Sequence, residues 1–245
     1  MLNFSQYNKV VDFYDNQENH IRDDYKNQDI LSLVQFKKAK AEITTWKSYE
    51  RTPLHELEEL ALKTNVAKIF YKDESHRFGL KSFKALGGAY AVANLLILEL
   101  KKKGVSATSR DLLNKTYKNI TQEITVSCAT DGNHGKSVAW GAKMFSCKCE
   151  IFIHSHVSEK RQEEIAKYGA KVNRIEGNYD DSVRVADQRA QDNGFFTVSD
   201  TSYEGYTKVP KDVMQGYTVM VDESLMQMND IPTHIFLQGG VGGMA

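Results

Sequence analysis

Ser127-Cys128-Ala129-Thr130-Asp131-Gly132-Asn133-His134-Gly135-Lys136 is the stretch on which the fold turns. Residues 123–128 read as an apolar strand and residues 133–145 as a helix, so Asp131-Gly132-Asn133 is a tight strand-to-helix turn. Glycine in such a turn permits backbone angles that other residues resist. Its free N–H groups can hold an anion, and Asn133 offers both a donor and an acceptor. A plain connection capped by Asp or Asn is the other use of the same residues.

Working outward, the alternation continues downstream. Residues 149–154 read as a strand, 158–168 as a helix begun by Ser158, 171–175 as a strand and 179–192 as a helix. A strand over 195–198, a long helix over 209–228 and a final strand over 233–237 complete the run. This β-α-β-α order with short connections predicts an α/β fold with parallel sheets. Upstream, residues 29–46 read as a helix, 55–64 as a second, 67–72 as a short strand and 82–103 as a long helix capped by Ser82. A polar insertion follows, with a helix expected over 110–117.

Composition narrows the function. Lys+Arg and Asp+Glu both number 32, which argues against nucleic-acid or membrane-surface partners. No apolar run reaches the roughly 20 residues of a membrane span. Met1-Leu2-Asn3-Phe4 lacks the basic and apolar start of a signal peptide, so a cytoplasmic location is expected. Three cysteines fit reduced thiols, and Cys147-x-Cys149 has no His pair at ligand spacing, so no metal site is expected.

Two further motifs carry chemistry. In Lys81-Ser82-Phe83-Lys84-Ala85-Leu86-Gly87-Gly88, Lys84 falls in the first turn of a helix, where the macrodipole disfavours an ammonium, and Phe83 adds desolvation. Both effects favour a nucleophilic amine; a surface lysine opening a helix fits the same pattern. Gln238-Gly239-Gly240-Val241-Gly242-Gly243 follows an apolar stretch, and its glycines let backbone approach a phosphate closely. It lacks the Gly-Lys-Ser/Thr ending of a nucleotide loop.

Taken in this order, the three motifs resemble fold type II of the pyridoxal-phosphate enzymes, the tryptophan-synthase-β-like family that includes threonine dehydratase, serine racemase and cysteine synthase. The resemblance implies that Lys84, beside Phe83, bonds the aldehyde of pyridoxal 5'-phosphate. It implies that Asn133 meets the cofactor's phenolic oxygen and that Gly239, Gly240, Val241, Gly242 and Gly243 hold its phosphate. Thr130-Asp131-Gly132-Asn133-His134-Gly135, Arg77-Phe78-Gly79-Leu80, Gly177-Asn178-Tyr179-Asp180-Asp181 and Met214-Gln215-Gly216-Tyr217-Thr218 are similar to the diaminopropionate ammonia-lyase branch. That branch implies α,β-elimination of 2,3-diaminopropionate to pyruvate and ammonia. Lys84 and Asp131 would act on opposite faces of Cα, with Thr130, His134 and Asp200 on the amino-acid substrate. Lys81 and Lys136 read as solvated charges, and Tyr206 and Tyr217 as packing residues. A serine/threonine dehydratase or racemase, or an inactive fragment of such an enzyme, is the alternative.

The resemblance also implies two three-layer α/β domains and a homodimer. The large domain would comprise residues 1–124 and 206–245, and a small mobile domain residues 125–205. Because the chain stops just after a glycine-rich turn that normally opens a helix, the large domain is expected to be incomplete.

Overall fold

The structure, a computed structural model, describes residues 30–239, 242 and 244. Ser32 caps α1 (Leu33–Ile43) by accepting from Gln35 N at 3.2 Å. Next come β1 (Leu54–Glu56), α2 (Glu58–Thr64) and β2 (Phe70–Lys72), then a 3-10 segment, Glu74–Gly79. The central helix, α3 (Lys84–Lys102), precedes two short helices, α4 (Ser109–Leu113) and α5 (Lys118–Thr121). The chain continues as β3 (Thr125–Ala129), α6 (Asn133–Phe145), β4 (Lys148–His154), α7 (Glu159–Ala166) and β5 (Lys171–Ile175). It closes with α8 (Tyr179–Asn193), β6 (Phe196–Thr197) and α9 (Lys208–Gln227).

The expected α/β alternation is present, with three departures. Residues 54–56 do not open a helix; they pair antiparallel with Phe70–Lys72, and α2 starts at Glu58, where two glutamates face the positive helix end. The helix expected over 110–117 stops at Leu113, and Lys115 beyond it has a φ of 59° that no helix continues. Residues 233–237 form no strand. No neighbouring strand pairs with them among the described residues, and Ile235 and Phe236 stand 72% and 93% exposed. An apolar run without a partner for its N–H and C=O groups cannot become a strand.

β3 to β6 form one parallel sheet in the order β5-β4-β3-β6. The chain winds outward from β3 to β5 and then returns to the far side of β3. The connections therefore reverse between β3 and β6, and the crevice at the carboxyl ends of those two strands is where open α/β sheets bind ligands.

α3 is apolar on nearly every side and buried from Ala85 to Ala93. It packs against α6 and α9 through glycines. A Cβ on Gly216 would lie 2.4 Å from the Leu86 carbonyl oxygen, and one on Gly87 would lie 2.5 Å from that of Val213. Backbone cannot yield as a side chain can, so Gly216→Ala is expected to cost about 1–3 kcal/mol. The measurement is a lower urea midpoint at unchanged slope; an unchanged midpoint would show that the helices separate freely.

Candidate active site

The crevice holds a cavity of about 420 Å³, within the range of small-molecule sites. Three segments build it. The head of α3 brings Phe83 and Lys84, the turn after β3 brings Thr130 to His134, and the segment after β6 brings Asp200. Gln238, Gly242 and Met244 also line it.

Lys84 Nζ donates to Asp200 Oδ2 at 2.5 Å and lies 5.4 Å from the Phe83 ring and 5.5 Å from the Tyr217 ring. Asp200 thus gives the amine a counter-ion. Burial acts to raise the Asp200 carboxyl, but the surrounding charge, with the Lys84 ammonium donating a hydrogen bond to it, outweighs burial and holds the group below the usual carboxylate range. His134 is 5% exposed, and burial pushes its ring below the ordinary histidine value, so the ring is neutral. Nε2 sits 2.7 Å from the Val198 carbonyl, so it is the nitrogen that carries the proton and donates. Nδ1 is then a bare acceptor, buried, without a hydrogen-bond partner among the described residues and 3.8 Å from Asp200 Oδ2.

Thr130 Oγ1 accepts from the N–H groups of Gly132 and Gly135, both at 3.1 Å, and so shapes the turn. Among the described residues no side chain caps α6. Its opening residues, Asn133 and His134, line the cavity, at the end of the helix that carries unbonded N–H groups and the positive dipole. Asn133 is exposed, and its side chain has no hydrogen bond among the described residues. Asp131 lines the cavity, with Oδ1 3.0 Å from His154 Nε2.

Of the expected phosphate loop, Gly242 reaches the cavity and Gly239 does not, while Gly240, Val241 and Gly243 lie outside the described residues. Lys136 does not stand in solvent as the sequence reading has it. It is 9% exposed and lines the cavity, and burial lowers its ammonium below the ordinary lysine value. A lysine in the first turn of a helix gives no local sign of which way it faces. Tyr206 does more than pack, since its hydroxyl donates to Thr197 O at 2.8 Å and accepts from Ser199 N at 3.0 Å, fixing the strand end that presents Asp200. His154 and Arg161, whose Nη1 is 3.4 Å from the Asp131 carbonyl, escaped the sequence reading altogether.

Burial pushes Cys147 up to about 12 and Cys149 well above its ordinary value. Among the described residues no group of three or more His, Cys, Asp or Glu could hold a metal ion, and no helix is long and apolar enough to cross a membrane.

An amine beside an aromatic ring, an unpartnered buried acceptor and uncapped helix N–H groups at a sheet crevice suit an aldehyde-bearing, anionic aromatic cofactor. The comparisons agree, and the chain belongs to the family described as pyridoxal-phosphate dependent enzyme, whose model matches residues 45–245. Within it, the chain is 43% identical over 200 residues to the diaminopropionate ammonia-lyase of Escherichia coli (strain K12), covering 80% of this chain and 49% of that protein. The diaminopropionate ammonia-lyase of Salmonella typhimurium (strain LT2) is 38% identical over 202 residues, 81% of this chain and 50% of that one. The crystal structure of the Escherichia coli diaminopropionate ammonia lyase in apo form matches with a TM-score of 0.81 at 41% identity, over 88% of this chain and 58% of that chain. The chain spans about half the length of the curated relatives it matches.

Proposed function

We propose that this chain carries the catalytic half-site of a pyridoxal-phosphate enzyme that eliminates ammonia from 2,3-diaminopropionate, giving pyruvate and ammonia. One observation supports it most: Lys84, Asp131, Asp200 and the bare Nδ1 of His134 converge in one crevice. These are an amine, two carboxylates and a neutral acceptor, a set matched to a substrate with two amino groups.

Bound there, the cofactor supplies the electron sink that makes a Cα proton acidic. Lys84 Nζ takes that proton from one face, and Asp131 Oδ2 takes it from the other. The substrate carboxylate lies on the free N–H groups of Asn133 and His134 at the head of α6. Asp200 and His134 Nδ1 accept hydrogen bonds from the β-ammonium. His134 keeps its proton on Nε2 for Val198, so it holds the leaving group and does not protonate it. The Cβ–N bond breaks with its electron pair going to nitrogen.

Phe83, Asn133 and the loop from Gly239 to Gly243 would hold the cofactor, and Thr130 the turn beneath the substrate. The small mobile domain is assigned to residues 125–205, a reading supported by a parallel sheet made wholly from that span. The family resemblance extends the proposal to a homodimer working in the cytoplasm.

The test is to assay pyruvate and ammonia from each enantiomer of 2,3-diaminopropionate, with serine and threonine alongside. Asp131→Asn is expected to lower turnover of one enantiomer by roughly 10²–10⁴-fold, the usual contribution of a positioned base, and to spare the other. Full diaminopropionate activity in Asp131→Ser would favour a related dehydratase or racemase.

A further inference from the structure

We infer that His154 is a positioning residue for Asp131, clamping one oxygen of its carboxylate and leaving the other free to take a proton. The inference rests on the proposed reading of Asp131 as a base. His154 ends β4, beside the turn that follows β3, so its ring reaches the Asp131 side chain across neighbouring strand ends. Nε2 lies 3.0 Å from Asp131 Oδ1. The other ring nitrogen, Nδ1, accepts the backbone N–H of His156 at 3.3 Å. A nitrogen that accepts carries no proton, so the ring proton is on Nε2, the nitrogen that lies beside the carboxylate.

The His156 N–H is itself held in place. Arg174 Nη1 donates to the carbonyls of Ser155 and Val157, each at 2.7 Å, so the loop carrying that N–H is clamped on both sides. Gln162 Oε1 in turn accepts from Arg174 Nη2 at 2.7 Å. The His156 ring meets the His154 ring edge-on at 5.6 Å and 82°. A chain of contacts from Arg174 through the loop to His154 therefore fixes one tautomer and one ring orientation. Asp131 is otherwise 56% exposed in its side chain, and without the clamp it would rotate freely in the crevice mouth. Such outer contacts keep a working group aimed, and losing one typically costs about 10–100-fold in activity.

Two measurements test this. The first needs neither cofactor nor turnover: ring nitrogen–proton correlation spectra of the histidine-labelled chain, with His154 assigned by its absence in His154→Gln. The expected result is a neutral ring protonated at Nε2 whose signals shift in Asp131→Asn. A ring protonated at Nδ1 or at both nitrogens, or signals unmoved by Asp131→Asn, overturns the inference. The second compares the two enantiomers of 2,3-diaminopropionate with the cofactor-loaded chain. His154→Phe is expected to lower kcat for the enantiomer served by Asp131 by about tenfold and to leave the other nearly unchanged. His154→Gln, whose amide can still donate, recovers most of the loss, and His154→Phe adds little in an Asp131→Asn background. Equal losses for both enantiomers, or none, mean a merely structural histidine and overturn the inference. If the unaltered chain turns over neither enantiomer, the proposed function fails while the ring spectra still decide the contact.

Discussion

Lys84→Ala is expected to abolish the absorbance band near the visible edge that the chain forms with pyridoxal 5'-phosphate, and with it the borohydride-sensitive attachment. Turnover should fall by roughly 10²–10⁴-fold from loss of the base alone, and further from loss of the covalent tether. The physical ground is placement. Lys84 is the lysine at the first residue of α3, its Nζ lies 2.5 Å from Asp200, and Phe83 walls the same cavity. Lys84→Arg is the informative companion, because it keeps a cation opposite Asp200 but has no simple amine. Loss of the band in both variants with folding intact in Lys84→Arg assigns the chemistry to the amine. A band that survives in Lys84→Ala would move the attachment to another lysine, Lys136 being the other one that lines the cavity among the described residues.

Both the fold and the site were legible where the signal was local. The helix Asn133–Phe145 and the strand Lys171–Ile175 have the bounds their periodicity predicts, since a turn signal or a change of period marks each end. Lys84, Asp131, Asn133 and Thr130, which the fold brings to one cavity, sit in short motifs at the joints between elements. His154 sits in no such motif. Its neighbour Asp131 is 23 positions away, and nothing in the run Ile153-His154-Ser155 distinguishes a histidine that meets a carboxylate from one that only ends a strand. The strand expected over 233–237 failed for the complementary reason, since apolar sequence is local but strand pairing is not.

The same limit hid the site of the largest stability effect. Arg77→Ala is expected to cost about 3–5 kcal/mol, the usual loss when one partner of a buried ion pair is removed. At roughly 2–4 °C per kcal/mol for a chain of this size, Tm should fall by about 10 °C. Arg77 is 1% exposed and grips two carboxylates at once. Its Nε and Nη2 donate to Glu74 at 2.8 and 2.7 Å, and its Nη1 and Nη2 donate to Glu223 at 2.8 and 2.7 Å. Lys72 Nζ and the Tyr49 hydroxyl add contacts to Glu223 at 2.9 and 2.8 Å, tying α9 to the segment that leads into Lys84. Without Arg77, Glu223 would keep Lys72 as an ion-pair partner, while Glu74 would lose the guanidinium that grips it.

That network sets the pH dependence as well. Burial works against the ionised form of Glu223, yet the hydrogen bond and charge of Arg77, followed by Lys72 and Tyr49, pull the carboxyl down to about 2. A carboxyl with a depressed value in the folded chain stabilises the fold fully above its ordinary value near 4.5 and loses that contribution as pH falls towards 2. Thermal melts between pH 7 and pH 2 should therefore show the unaltered chain weakening mainly below about pH 4.5. In Arg77→Ala the Glu223 carboxyl loses its main counter-ion and protonates at higher pH, so this part of the acid weakening shrinks while stability near neutrality drops. Parallel pH profiles for the two proteins would show that the pair, though buried, does not control acid stability.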